Sequence, residues 1–171
     1  WNQYVSMDDF EDINHTAYHE GIYVGYRYFD TFDKKELFPF GYGLSYTEFT
    51  VEPAGVSVEG EEITVRARVT NTGKFSGKQV VQIYVSAPYG KLDKAYQELC
   101  GFVKTRELAP GEKQEVSVRF KLSDYASYEE ESASYILEKG NYIVRMGTSC
   151  KENQPVALLH LEETVTTCEA K

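Results

Sequence analysis

In the segment ITVRARVTN, Ile63, Val65, Ala67 and Val69 alternate with Thr64, Arg66, Arg68 and Thr70. Successive side chains of a strand point to opposite faces, so this spacing predicts a half-buried β-strand with one apolar and one solvated side. QEVSVRFKL repeats the device with Val116, Val118, Phe120 and Leu122 in strict alternation. QVVQIYVS differs, carrying Val81, Ile83 and Val85 on one face and Val80, Gln82 and Tyr84 on the other. Apolar groups on both faces predict a central strand. The inward sets of these three strands define the expected core: Val65, Val69, Val81, Ile83, Val116, Val118 and Phe120.

ELCGFVKTREL adds a strand that runs into Ala109-Pro110-Gly111-Glu112, a turn in which Pro110 fixes φ and Gly111 accepts a positive one. Tyr135 to Glu138 and Tyr142 to Met146 flank Lys139-Gly140-Asn141, a pattern that predicts a hairpin, and Val156 to Leu161 supplies a final strand. About six or seven short strands separated by turn signals, without an amphipathic helix, predict an all-β, antiparallel two-sheet sandwich. Ahead of them, EGIYVGYRYFDTF is rich in Tyr, Phe, Ile and Val and reads as an extended aromatic arm broken at Gly25. LFPFGYGLSYTEF follows, its Pro39, Gly41 and Gly43 set among aromatic rings, and predicts a tight corner buried against something large. The expected organisation is an arm or linker over 1–45, a sandwich over 46–161 and a tail over 162–171.

At 171 residues the chain has room for one domain with an appendage. Its 42% hydrophobic content marks a folding chain, and a net charge of -9 argues against a nucleic-acid partner, whose phosphates call for clustered Lys and Arg. No run reaches the ~18 apolar residues of a membrane span. Trp1 stands where an initiator Met would, so the expectation is that other residues precede it and that any export signal lies among them. The compartment, cytoplasmic or secreted, stays open. Cys100, Cys150 and Cys168 form neither a CxxC pair nor a zinc-ligand spacing.

Candidate chemistry is thin. Asp8, Asp9, Glu11 and Asp12 belong to what reads as a solvated connector, and Glu129, Glu130 and Glu131 to an exposed loop. His15 and His19 would share a helical face with Glu20 nearby, but the Glu is misplaced for HExxH, so no metal site is expected. Asn14-His15-Thr16 is formally a glycosylation sequon, relevant only along a eukaryotic secretory route. Fourteen tyrosines raise the alternative of a carbohydrate-binding module, and a cell-surface immunoglobulin-like interaction module would fit the same fold. Packing in a core or at a domain contact accounts for most of the rings.

EGIYVGYRYFD (Glu20 to Asp30) followed by LFPFGYGLSYTEF resembles the segment that leads from the second domain of family 3 glycoside hydrolases into their fibronectin-type-III-like domain. VTNTGKFSGKQVVQIYVSAP, ELCGFVKTRELAPGE and EKGNYIVRMGTS resemble the body of that domain, so the likeness runs from Tyr18 to Ser149. It departs at Lys94 to Leu99, where similar sequences carry a Pro near Ala95, and no motif is matched after Lys151. The resemblance implies an immunoglobulin or fibronectin-type-III-like sandwich within a bacterial parent of β-glucosidase or β-xylosidase type. Its partners would be the parent's catalytic barrel and α/β sandwich domains, with a homo-oligomer left open. Neither catalytic motif of the family occurs in the chain, so the expected role is non-catalytic, with no cofactor. The residues expected at the domain contact are Tyr23, Tyr26, Arg27, Tyr28, Phe29, Phe38, Phe40, Tyr42 and Tyr46.

Overall fold

The computed structural model describes Asn14 and residues 20–169. His15, His19, the sequon's Thr16 and the acidic connector lie outside the described residues. Two antiparallel sheets face each other. The first comprises β1 (Phe49–Glu59), β2 (Glu62–Asn71) and β5 (Lys113–Lys121), in the order β1-β2-β5. The second, in the order β4-β3-β8-β9, holds β3 (Val80–Ser86), β4 (Glu98–Lys104), β8 (Gly140–Gly147) and β9 (Asn153–Leu161).

The alternation read from the sequence sets the register. Ile63, Val65 and Ala67 of β2 lie opposite Phe120, Val118 and Val116 of β5, so both strands turn their apolar sets to the same side. Facing them across the core are Val81 and Ile83 of β3 with Val144 and Met146 of β8. All seven expected core residues are buried there. β3 is central, paired with β4 on one side and β8 on the other, and Tyr84 on its second face is fully buried. Each such side chain contributes about 1.5–3 kcal/mol by leaving water.

Four features differ from expectation. Residues Tyr26–Thr31 form a short helix, α1, instead of an extended arm. β1 occupies FTVEPAGVSVE, which Pro53 and Gly55 disguise; Pro is tolerated because β1 is an edge strand, and the register shifts between Pro53 and Gly55. The hairpin at Lys139-Gly140-Asn141 does not form. Tyr135 belongs to β7 (Ser134–Leu137), which pairs with β6 (Ser127–Glu129), whereas β8 pairs with β3 and β9. Gly140 turns the chain from the one sheet to the other at φ 133, close under Pro88, and the Tyr142 hydroxyl donates to the Glu138 carbonyl at 2.8 Å. Finally, the expected tail contains β10 (Val165–Glu169), antiparallel to β7 with Thr166 opposite Ile136, making a small third sheet β10-β7-β6.

The small sheet is tied to the loop before β4 by a buried ion pair. Lys94 Nζ lies 2.6 Å from Glu138 Oε2, and the backbone N–H groups of Lys91 and Leu92 donate to the same carboxylate. Burial works against the Glu138 charge, but Lys94 and the two N–H donors outweigh it and hold its pKa below the usual value of 4.5. In this loop, at the point of departure from the family pattern, Lys94 and Ala95 are both buried.

Two outcomes test this fold. Val118→Asp, which places an unpaired charge in the core, should leave the chain unfolded at room temperature, because several kcal/mol is a large part of a domain's ~5–15 kcal/mol stability. Arg119→Asp on the exposed face should shift the melting temperature little, and equal shifts for the two would refute the strand assignment. A depressed carboxylate stabilises the fold above its unfolded pKa, and that stability is lost as pH falls through the lower folded value. Denaturant titrations should therefore show stability falling as pH is lowered from about 5. The fall should be smaller in Glu138→Gln, which is already weakened at neutral pH.

Candidate domain interface

α1 lies against the sandwich through one face. Helical spacing puts Tyr26, Arg27, Asp30 and Thr31 on the same side, and each finds a partner there. The Tyr26 hydroxyl accepts the Leu99 N–H at 2.8 Å, and the Tyr96 N–H donates to Thr31 Oγ1 at 2.9 Å. Arg27 lies 3.8 Å from Glu98. The deepest contact is made by Asp30, whose side chain is only 2% exposed. Gln97, itself fully buried, donates from Nε2 to Asp30 Oδ2 at 2.8 Å and to the Cys150 carbonyl at 2.6 Å, while Asn153 donates to its Oε1. Lys151 Nζ reaches Asp30 Oδ1 at 2.9 Å and Glu36 at 3.9 Å.

This cluster offers metal-ligand atoms, since those of Asp30, Glu36 and Cys150 lie within 4.8 Å of one another. Its chemistry argues for a different cation. Burial and the Asp30 charge push the Cys150 thiol up to about 11, so it stays protonated at neutral pH. Burial also opposes the charge on Lys151, yet the Asp30 carboxylate outweighs that and raises its pKa. The Lys151 ammonium already faces both carboxylates of the cluster.

The corner after α1 is fastened at both ends. The Phe40 ring stacks on Tyr26 at 4.9 Å, and the Cys150 N–H donates to the Phe40 carbonyl at 2.9 Å. Tyr26 also meets the buried Tyr84 edge-on, and the Tyr84 hydroxyl donates to Gln82. Gly41 adopts φ 90, which favours glycine, and a Cβ there would stand 2.5 Å from the Gln82 Nε2 and push that amide aside. At the far end Thr47 is buried and donates to Asn71 Oδ1 at 2.8 Å, while Asn71 Nδ2 donates to the carbonyls of Phe75 and Leu108.

Around these anchors the side chains face water. Leu37, Leu44 and Tyr46 are 94%, 90% and 95% exposed, with Phe38 and Tyr42 beside them more than half exposed and their rings 5.0 Å apart. The residues expected at a domain contact therefore divide. Tyr26 and Arg27 bind this chain's own sandwich, as does part of Phe40, which corrects the picture of an arm standing wholly apart. Tyr23, Tyr28 and Phe29 are half-buried and packed around Phe32 or one another. Phe38, Tyr42 and Tyr46 form the exposed patch. Sequence reasoning fixed on rings and passed over Leu37 and Leu44, although both stand in the same LFPFGYGLSY string. The Asp30, Gln97 and Lys151 clasp carried no local signal, because its members are far apart in the chain.

In limited proteolysis of the isolated chain with intact-mass readout, Tyr26 to Phe40 should resist cutting. Asp30→Ala, which leaves Gln97 and Lys151 without their carboxylate, should expose that segment to early cleavage while the sandwich stays intact. Early cuts there in the unaltered chain would refute the clasp.

Comparison with known proteins agrees with this architecture. Residues 79–150 match the fibronectin type III-like domain. β-Glucosidase A of Butyrivibrio fibrisolvens is 42% identical over 174 residues, an alignment that covers 88% of this chain and 21% of that enzyme. The crystal structure of a β-glucosidase from Paenibacillus barengoltzii superposes with a TM-score of 0.94 at 38% identity, over 99% of this chain and 20% of that one. A GH3 β-glucosidase from Bifidobacterium adolescentis gives a TM-score of 0.84 at 34% identity, over 94% and 24%. The chain thus spans about a fifth of the length of the curated relatives it matches. It belongs to the fibronectin type III-like family, as the accessory domain with preceding linker that occurs in family 3 β-glucosidases.

Proposed function

We propose that the chain is a non-catalytic accessory part of a β-glucosidase-like polypeptide in carbohydrate metabolism, and that it stabilises the catalytic domains by packing against them through the Leu37 to Tyr46 corner. In this reading residues 1–45 form the linker from a preceding α/β domain and the sandwich begins at Tyr46. The observation that carries it is the corner itself: nearly fully exposed Leu37, Leu44 and Tyr46 on a stretch of chain fastened to the sandwich at Phe40 and Thr47. A soluble protein rarely keeps such a contiguous apolar patch in water, and a pre-ordered one loses little entropy on docking.

The carboxylates support the non-catalytic part. Retaining glycoside hydrolysis needs two of them about 5–5.5 Å apart, one with a raised pKa so that it can donate a proton. Asp30 and Glu36 share Lys151, and Glu129 and Glu131 share Lys91. A hydrogen bond from Ser132, and then Lys91, hold Glu129 below the usual carboxylate value, the opposite of what an acid catalyst requires.

The test compares Leu44→Ser combined with Tyr46→Ser in two settings. In the isolated chain both positions are solvated, so stability should change by less than about 0.5 kcal/mol. In the full polypeptide that carries this chain, the melting temperature should fall by several degrees, because burying each side chain is worth about 1.5–3 kcal/mol. Equal small shifts in both settings would remove the corner from any domain contact.

A further inference from the structure

The corner sits at one end of the sandwich, and that end has a charge unlike the rest of the molecule. Val80 pairs with Lys104 and Thr70 with Lys113, while Lys74 and Lys78 belong to the connection between β2 and β3. Four lysines are thus gathered where the corner re-enters the fold at Thr47 and Asn71. Among the described residues none of the four forms an ion pair, whereas Arg106 at the same end binds Glu112 at 2.6 Å. The acidic groups nearby that lack an ion pair are Glu48, Glu107 and Glu152, in a chain whose net charge is -9.

Two of these lysines border a cleft. It encloses about 490 Å³ between the corner and the sheet ends, with Tyr42, Leu44, Phe49 and Val80 on its apolar side and Lys78, Lys104 and Glu152 on its polar side. Glu152 is engaged locally by the Thr148 hydroxyl at 3.1 Å. Leu44 lines the same cleft as Lys78 and Lys104, so apolar contact and positive charge without an ion pair meet at one site.

We propose that this end docks an acidic face of another domain of the same polypeptide, with carboxylates of that domain set against Lys78 and Lys104 and an apolar centre covering Leu44 and Tyr46. The inference rests on reading the corner as a domain contact and adds the chemistry of what covers it. Charge complementarity of this kind fixes orientation and excludes wrong surfaces, while the apolar centre supplies most of the affinity. Since relatives of this chain are about five times its length, a covering domain in the same polypeptide would be present at high effective concentration.

Hydrogen exchange on the full polypeptide, at low and at high salt, tests the inference with two double variants. Lys78→Glu with Lys104→Glu should speed exchange of the amides from Leu44 to Thr47 at low salt, on the order of tenfold. The gap should narrow at high salt, where charges are screened. Lys78→Arg with Lys104→Arg should keep the protection, and unchanged exchange at Val81 and Ile83 shows that the sandwich is folded. If charge reversal has no effect while Leu44→Ser with Tyr46→Ser speeds exchange, the acidic partner is refuted and the domain contact survives. If neither pair changes exchange, both readings fall. Native mass spectrometry showing that protection requires a second copy of the polypeptide would overturn the intramolecular partner.

Discussion

Everything in this molecule hangs on the burial of one face of each sheet against the other. β2 and β5 point Ile63, Val65, Val116 and Val118 inward, and β3 and β8 answer with Val81, Ile83, Val144 and Met146. A strand has no other way to remove alternate side chains from water. Once that layer is closed, the ends of the strands fix where the connections run, and the connections carry the features that distinguish this chain from a plain sandwich. The corner is held because Asn71, at the end of β2, is fully buried and spends its amide on Thr47, Phe75 and Leu108. The helix is held because Gln97, just ahead of β4, is buried beneath it.

The parts of this structure that were legible in the sequence are those governed by a short period. β2, β3 and β5 announce themselves because their inward residues recur every second position, and the centrality of β3 follows from its having apolar groups on both faces. Where a long-range contact decides, local pattern misleads. Lys139-Gly140-Asn141 has the composition of a hairpin turn, yet Glu138 is drawn inward by Lys94 and Tyr142 joins the other sheet, so the chain crosses instead of folding back. YRYFDT favours extended structure by propensity, but a helix is what brings Tyr26 and Asp30, four residues apart, onto Leu99 and Gln97 together. β10 was illegible because its five residues carry little apolar pattern and gain their order from pairing with β7.

The corner was legible in composition and not in division of labour. A string of aromatics, Pro and Gly says that rings will be packed, but only coordinates tell which rings turn inward. Phe40 lies on Tyr26 and belongs to this fold, whereas Tyr46 a few residues later stands in solvent. Between them stands Gly41 at φ 90, a backbone conformation that L side chains rarely adopt. The same short stretch thus contains both a ring packed on its own domain and rings left in solvent.

The anchoring of α1 and the corner has a mechanical meaning. From Tyr26 to Thr47 the chain is fastened to the sandwich at Leu99, Gln97, Cys150 and Asn71. A segment so fastened acts as a lever and not as a hinge. A pull applied ahead of Tyr26 would meet the contacts at Leu99 and Gln97 before it reached β1, so it would load the sandwich as a body and spare its first strand.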